Sequence, residues 1–207
     1  MRKLLVLPFL ALFLTGCVET EAVLTWHPDG RLDLKLIVQG EGLENRARLV
    51  LERLEANGFY QVVVSGDRIE ATRLLKPAGW DRVSGLWPGR VTFVEPTTGL
   101  TVYRSSYVFF EDYGLEGELV PIRALGLPQA AALLAPPFSL KVQAPWPALE
   151  ANAPEREDRT YVWRGSLTDT YDLSIRYRRY FPERILAALG IIALPVLWRR
   201  SRRPPRG

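Results

Sequence analysis

The stretch AVLTWHPDGRLDLKLIV, residues 22–38, sets the fold class of the chain. Its first five residues form an apolar, strand-forming run, and from Leu32 to Val38 a large apolar side chain recurs at every second position. The residues between the runs, 27–30, read His-Pro-Asp-Gly, where proline presets φ and Asp-Gly closes a tight turn. We therefore predict a β-hairpin with one buried face.

The same signals recur along the chain. Turn residues at 66–67 and 96–99 predict two further hairpins. Apolar residues at helical spacing, from Leu43 to Leu54, precede Asn57-Gly58, which favours a helix ending there. The prediction is an α+β domain with a mostly antiparallel sheet of about nine strands and one amphipathic helix (about 43–57). The predicted strands cover residues 22–26, 32–38, 59–64, 68–75, 91–95, 100–110, 138–144, 161–167 and 171–180.

Composition excludes several classes of site. The 207 residues include one cysteine and one histidine, which are too few for a disulfide framework or a Cys/His zinc site. We expect no metal and no cofactor. No repeat period and no Pro/Ser/Gly linker divides the body, so we expect one domain between the two terminal segments.

The net charge of +4 comes from the two ends. Residues 18–182 contain 19 basic and 22 acidic side chains, a net charge of −3. A nucleic-acid-binding domain is expected to present a basic stripe on its folded surface. We therefore expect no nucleic-acid partner, and attribute the terminal cations to membranes.

The N-terminal segment has the pattern of an export signal. Arg2 and Lys3 precede an apolar run over 4–14, and Leu14-Thr15-Gly16-Cys17 follows. These four residues resemble the lipobox of bacterial lipoproteins, in which the cysteine is acylated and becomes the first mature residue. We predict a lipoprotein signal peptide over 1–16 and lipidation of Cys17; the alternative is an uncleaved signal anchor.

A second apolar run, residues 185–198, is followed by an arginine-rich tail. Counted from Pro182 to Arg200, the segment covers ~28 Å as a helix, which predicts a transmembrane helix over 182–200. A buried core helix and a processed sorting tail are the alternatives. Export of the chain then places an extracytoplasmic domain over 17–181 and a basic cytoplasmic tail over 201–207.

The order of features resembles the LppM-type bacterial lipoproteins. The lipobox, the segment 26–31 (WHPDGR), the segment 142–145 (VQAP) leading to 150–153 (EANA), the segment 161–163 (YVW) and the terminal helix support it. The resemblance implies an α+β extracytoplasmic domain that associates with lipid or glycolipid, and it supplies no catalytic residues. The stretch 76–137 is not covered.

Candidate catalytic groups have structural interpretations. His27 lies in a turn beside Pro28, and the acidic residues near 111–112 and 155–158 have the pattern of solvated faces. Neither a phosphate-binding glycine loop nor a G-x-S-x-G motif is present in the sequence. We expect a protein without enzymatic activity.

The segment 113–138 is apolar although prolines interrupt it. One interpretation is a core-covering segment, and the other is a lid or a loop that dips into the membrane. We also hypothesise that both ends of the domain emerge at one pole, where the arginines near 176–179 meet anionic headgroups. The predicted lipid-contacting residues are Trp80, Trp87, Leu125, Leu127, Arg176, Arg178 and Arg179.

The sequence thus predicts a lipoprotein of the cell membrane, held by an N-terminal lipid and a C-terminal helix. Its domain is expected to bind or shield a lipid-like or glycolipid ligand at the outer face of the cytoplasmic membrane. The alternatives are an assembly subunit that binds another envelope protein, and an envelope hydrolase that uses paired carboxylates.

Overall fold

Two β-sheets form the body of the computed structural model, which describes residues 18–41, 43, 47–76, 89–125 and 137–201. Strands are numbered in chain order. The larger sheet has the order β10-β11-β8-β1-β2-β4-β3 and the smaller has the order β5-β6-β7-β12-β9. Within the described ranges, β1 and β8 pair in parallel and every other pair of neighbours is antiparallel.

The larger sheet contains β1 (Glu19–Trp26), β2 (Leu32–Gln39), β3 (Tyr60–Ser65), β4 (Arg68–Lys76), β8 (Pro137–Gln143), β10 (Glu155–Glu157) and β11 (Thr160–Ser166). The smaller contains β5 (Gly89–Val94), β6 (Thr101–Ser106), β7 (Phe110–Leu119), β9 (Glu150–Ala151) and β12 (Tyr171–Tyr180).

The predicted first hairpin is confirmed. β1 and β2 pair in register from Glu19 opposite Gln39 to Trp26 opposite Leu32. Hydrogen bonds from His27 N to Arg31 O (2.8 Å) and from Gly30 N to His27 O (2.9 Å) close the turn. Gly30 has φ +87°, a conformation that glycine adopts without the Cβ penalty.

Three helices lie in the described ranges: α1 (Ala47–Ala56), α2 (Pro121–Ala124) and α3 (Pro182–Ser201). α1 lies within the helix predicted over about 43–57; Leu43 is not helical, and residues 44–46 lie outside the described ranges. Gly58 follows α1 with φ +79°, consistent with the predicted glycine stop.

The predicted fold class is wrong. The described residues form twelve strands in two sheets, in place of a domain with one sheet of about nine strands. The three strands that the prediction lacked are β7, β9 and β10. β7 contains Gly114 and Gly117 among several acidic residues, a composition that disfavours strand when it is considered locally.

The structure explains why both of these positions in β7 are glycine. A Cβ at position 114 would overlap the Tyr103 ring, which lies across the strand, and Gly117 has φ +137°. The Tyr103 ring takes the place that a side chain would occupy on that face of the strand. Contact between neighbouring strands therefore overrides the low intrinsic preference of glycine for strands.

Much of the predicted apolar loop 113–138 is regular structure. Its first seven residues belong to β7, and α2 follows directly after Val120. Leu119, Ala124 and Leu125 are all buried in the core. Residues 126–136 lie outside the described ranges.

The predicted transmembrane helix is also wrong. No helix among the described residues combines the length and apolar character that crossing a bilayer requires. The reason lies in the sequence, because charged residues at 184 and 199 confine the apolar run to 14 residues. At 1.5 Å per residue this run covers ~21 Å, whereas the hydrocarbon layer is ~30 Å thick.

The core lies between the two sheets, and its aromatic contacts fix how they are aligned. Phe138, which pairs with Thr20 near the start of β1, packs against Tyr171 at the start of β12 with ring centroids 5.5 Å apart. Trp26 at the end of β1 packs against Tyr177 with centroids 4.9 Å apart. β1 and β12 therefore run in the same direction. The start of β1 and the end of β12 lie at opposite poles, which contradicts the hypothesis of one shared pole.

Candidate functional site

A polar cleft lies at the end of the larger sheet where β1 begins, which we call the N-terminal pole; the C-terminal pole is the opposite end, where β12 ends. The cleft has a volume of ≈ 290 Å³ and is built from β1, β2, β4 and β8. The parallel pairing of β1 with β8 brings Glu21 opposite Ser139 and places residues distant in sequence side by side. The cleft is lined by Glu19, Thr20, Glu21, Ile37, Gln39, Arg68, Ser139 and Lys141.

A second cleft of ≈ 200 Å³ adjoins the first and shares Glu19, Thr20 and Ser139 with it. Thr20 is 5% exposed, and its Oγ1 has no hydrogen-bond partner within the described part of the molecule. A buried hydroxyl without a partner is costly, commonly by about 1–3 kcal/mol. Thr20 lies on the face of β1 opposite to that of Glu19 and Glu21, so its hydroxyl faces the buried side of the sheet.

The charges around the first cleft are mixed. Lys141 Nζ lies 2.6 Å from Glu21 Oε2, and Arg68 Nη2 lies 2.7 Å from Glu70 Oε1. Hydrogen bonds from Lys35 and then from Arg68 lower the pKa of Glu70, so it stays ionised. Glu19 forms no ion pair with any residue that the structure describes. The cleft thus presents donors and acceptors side by side with little net charge.

Two of the arginines predicted to contact lipid headgroups pair with a buried carboxylate. Asp112 is 4% exposed and receives Arg178 Nε at 2.6 Å, Arg178 Nη2 at 2.9 Å and Arg176 Nη2 at 2.9 Å. The hydrogen bond from Arg178 is the largest cause of the lowered pKa of Asp112, and the bond from Arg176 adds to it. These three side chains crosslink β7 and β12.

The third predicted arginine, Arg179, is exposed and lies near aromatic rings. Its guanidinium carbon is 5.4 Å from the Phe181 ring centroid and 5.7 Å from that of Trp146. It lies near the end of β12, at the C-terminal pole, and so is remote from the polar cleft. Arg179 is therefore the one of the three that stays on the surface without a carboxylate among its described contacts.

Cys17, Trp80, Trp87 and Leu127 lie outside the described residues, so their predicted roles stay predictions. Leu125 is 3% exposed and belongs to the core cluster, so its side chain is not on the surface.

Other titratable groups form structural contacts. Glu95 accepts hydrogen bonds from the backbone N–H groups of Thr97 (3.0 Å) and Thr98 (2.5 Å) and thereby holds the turn before β6. Glu111 binds Arg104 and accepts a hydrogen bond from the Tyr113 hydroxyl at 2.7 Å. His27 Nε2 lies 2.8 Å from Asp33 Oδ2 within the first hairpin. In the described ranges, no three His, Cys, Asp or Glu side chains are grouped so that they could hold a metal ion.

Sequence reasoning missed the lining of the polar cleft and one exposed segment at the C-terminal pole, Tyr107–Phe110. The cleft arises from strand order, which no local motif shows. The exposed segment was assigned to a continuous strand over 100–110, although four consecutive apolar residues there break the period-2 alternation. This interruption of the alternation is the feature of the sequence that indicates a turn in place of a continuous strand.

No known protein family matches the sequence, and no curated protein matches it either. Among solved structures, the NMR structure of the folded domain of the Mycobacterium tuberculosis protein LppM is similar over 81% of this chain and 93% of its own. The TM-score is 0.41 and the sequence identity is 10%. LppM is a structural neighbour of this chain, and membership of the LppM-type lipoproteins stays a prediction from the sequence.

Proposed function

We propose that this protein is a membrane-associated lipoprotein without catalytic activity, whose polar cleft binds the headgroup of a lipid-like or glycolipid molecule. The observation that carries the proposal is the position of the cleft relative to the predicted lipid. Glu19, which lines both clefts, lies two residues after Cys17 and thus within ~7 Å of it along the chain. A lipid on Cys17 would hold the cleft at the headgroup layer.

The chemistry of the lining supports a polar, hydroxyl-bearing headgroup. Lys141 and Arg68 donate, Glu19 accepts, and Gln39 and Ser139 can do either. Vicinal hydroxyl groups of a sugar or glycerol both donate and accept, so they match a lining with both kinds of group. A purely anionic ligand would leave Glu19 and Glu21 facing like charge.

The first test concerns the anchor. Intact mass spectrometry of protein extracted from membranes is expected to show a mature chain that starts at acylated Cys17. A free Cys17 thiol on the mature chain would contradict the lipoprotein assignment.

The second test concerns the ligand. Titration of the chain with a short-chain diglycosylglycerol lipid, followed by NMR, is expected to shift the amide signals of residues 19–21 and 139–141. Lys141→Gln is expected to weaken binding about tenfold, the effect of losing one charge-assisted hydrogen bond. Lys35→Gln is the matched control, because Lys35 also pairs with a glutamate at 2.6 Å and is similarly exposed, but lies outside the cleft. Equal affinity in the two variants would exclude the cleft as the site.

A protein partner is the second candidate, and one feature favours it. β3 is an edge strand of the larger sheet and exposes Tyr60 (43%), Val63 (56%) and Val64 (37%). An exposed apolar edge is a template for addition of a strand from another chain. Crosslinking through a photoreactive residue at position 63 in intact cells tests this candidate: a discrete adduct supports a partner, and its absence argues against one.

A further inference from the structure

The turn between β6 and β7 exposes a compact group of apolar side chains at the C-terminal pole. We call residues Tyr107–Phe110 the aromatic tip. Tyr107 is 41% exposed, Val108 51% and Phe109 40%, and the Tyr107 ring stacks on that of Phe110 with centroids 4.5 Å apart. Exposing three consecutive large apolar residues at a turn is unfavourable in water, and such patches mark interaction sites.

The aromatic tip is joined to the start of α3. Phe181 N donates to Phe109 O at 2.9 Å, and Arg184 Nη1 donates to Val108 O at 3.3 Å. The Tyr180 ring, 57% exposed, lies 6.2 Å from that of Phe110. The first turns of α3 also expose Leu186 (68%) and Leu189 (57%). The tip and the start of the helix are therefore joined by hydrogen bonds, and each exposes apolar side chains.

Two arginines flank this surface without acidic partners. Within the described ranges, neither Arg179 nor Arg184 lies within ion-pair distance of a carboxylate, and each packs its guanidinium near the Phe181 ring, at 5.4 Å and 4.1 Å. Glu183 is the exposed acidic residue nearby in the chain, so these three residues leave a net positive charge. Exposed apolar and aromatic side chains beside cations are the composition of surfaces that sit at the interface of anionic bilayers.

We propose that the aromatic tip and the first turns of α3 form a second lipid-contacting surface, which inserts into the interfacial layer of an anionic bilayer without crossing it. Val108 and Phe109 enter the boundary between headgroups and acyl chains, and Arg179 and Arg184 bind lipid phosphates. This surface lies at the pole opposite the polar cleft and does not depend on ligand binding there.

The test uses the predicted mature chain, residues 17–207, with Cys17→Ser, which lacks the apolar signal segment, the single cysteine and the acyl anchor. An environment-sensitive fluorophore is attached to Val108→Cys or, as control, to Val63→Cys, since Val63 is equally exposed (56%) in the other sheet. On adding phosphatidylglycerol vesicles, we expect a blue shift and quenching by lipid-borne quenchers at 108 but not at 63. With phosphatidylcholine vesicles we expect at least about a tenfold lower affinity, because the two arginines lose their anionic partners.

Variants separate the apolar and ionic contributions. Val108→Asp with Phe109→Asp is expected to reduce vesicle affinity by tenfold or more, and Val63→Asp to leave it unchanged. Arg179→Gln with Arg184→Gln is expected to weaken the preference for anionic vesicles, and the arginines of the C-terminal tail are expected to retain the remainder. A label at 108 that stays as hydrated as one at 63 overturns the proposal, as does a blue shift that follows protein concentration and not vesicles, which indicates self-association. Titration of the tip variants with the short-chain diglycosylglycerol lipid keeps the two proposals distinct. These variants leave the polar cleft intact, so they are expected to bind that lipid as the wild type does.

Discussion

The Trp26 ring packs edge-on against the Tyr177 ring, with centroids 4.9 Å apart and an interplanar angle of 73°. Trp26 ends β1 and Tyr177 lies near the end of β12, so this contact ties the far ends of the two strands together. The start of β1 and the aromatic tip are therefore separated by the length of the strands. For the ten residues of β12 this is roughly 30 Å.

The separation of the poles can be measured directly. Spin labels on Glu19→Cys and Tyr180→Cys, in the Cys17→Ser chain, are expected to give a distance of about 30 Å by pulsed electron paramagnetic resonance. Both positions are exposed, so labelling should leave the core intact. A distance below about 15 Å would restore the hypothesis that both ends share one pole.

Acid stability is expected to depend on Asp112. Because its pKa is lowered in the folded state, its contribution is present above the ordinary value of 3.8 and is lost as pH falls from there through the folded-state pKa. Asp112→Asn is expected to reduce the free energy of unfolding by about 2 kcal/mol near neutral pH. Urea unfolding across the acid range should show the wild type converging on the variant below pH 3.8.

Arg164 and Glu155 provide the control for Asp112, since their ion pair of 3.1 Å is far more exposed. Glu155→Gln is expected to change the free energy of unfolding by less than about 0.5 kcal/mol. Equal losses in the free energy of unfolding for Asp112→Asn and Glu155→Gln would show that burial of Asp112 does not increase its contribution to stability.

The sequence was informative about several local features. Asp29-Gly30 and Gly66-Asp67 predicted two hairpins that the structure contains, because turn residues and alternating side chains act over a few positions. β7 was missed because Gly114 makes sense only once the Tyr103 ring is known to cover it. The cleft was missed for the same reason, since Thr20 and Ser139 meet only through the parallel pairing of β1 with β8.

The C-terminal segment shows a different error. A helix starting at Pro182 was predicted, and α3 begins there. The mistake was to count charged flanking residues toward a membrane-crossing length, although hydrocarbon thickness constrains the apolar run alone. In our proposal the exposed start of α3 belongs to the same surface as the aromatic tip. The spacing of apolar residues along one segment cannot show that two distant segments form one surface.

Tyr171 is expected to ionise only at high pH. Its burial, with a smaller contribution from Asp169, raises its pKa to about 12, and its hydroxyl donates to Ser166 O at 2.9 Å. The protonated phenol therefore contributes stability below pH 10.0, the ordinary pKa, and this contribution is lost as pH rises toward 12. Burial also raises the pKa of Tyr103, so phenolate absorbance should show a late phase that Tyr171→Phe reduces; a late phase of unchanged amplitude would assign it to other tyrosines.

The final prediction concerns the glycine that admits the Tyr103 ring. Gly114→Ala places a methyl group where that ring lies, so the ring must move away from Arg90, whose guanidinium is 4.2 Å from the ring centroid. We expect a loss of about 1–3 kcal/mol in the free energy of unfolding, typical of overpacking. Tyr103→Ala removes the obstacle, so adding Gly114→Ala to it should cost less than in the wild type, by at least about 0.5 kcal/mol in a double-mutant cycle measured by urea unfolding.

Gly66→Ala tests the alternative that any alanine at a strand-associated glycine is costly: Gly66 has open space but φ +56°, so its cost should not depend on Tyr103. Additive effects of Gly114→Ala and Tyr103→Ala would show that the ring does not require the glycine.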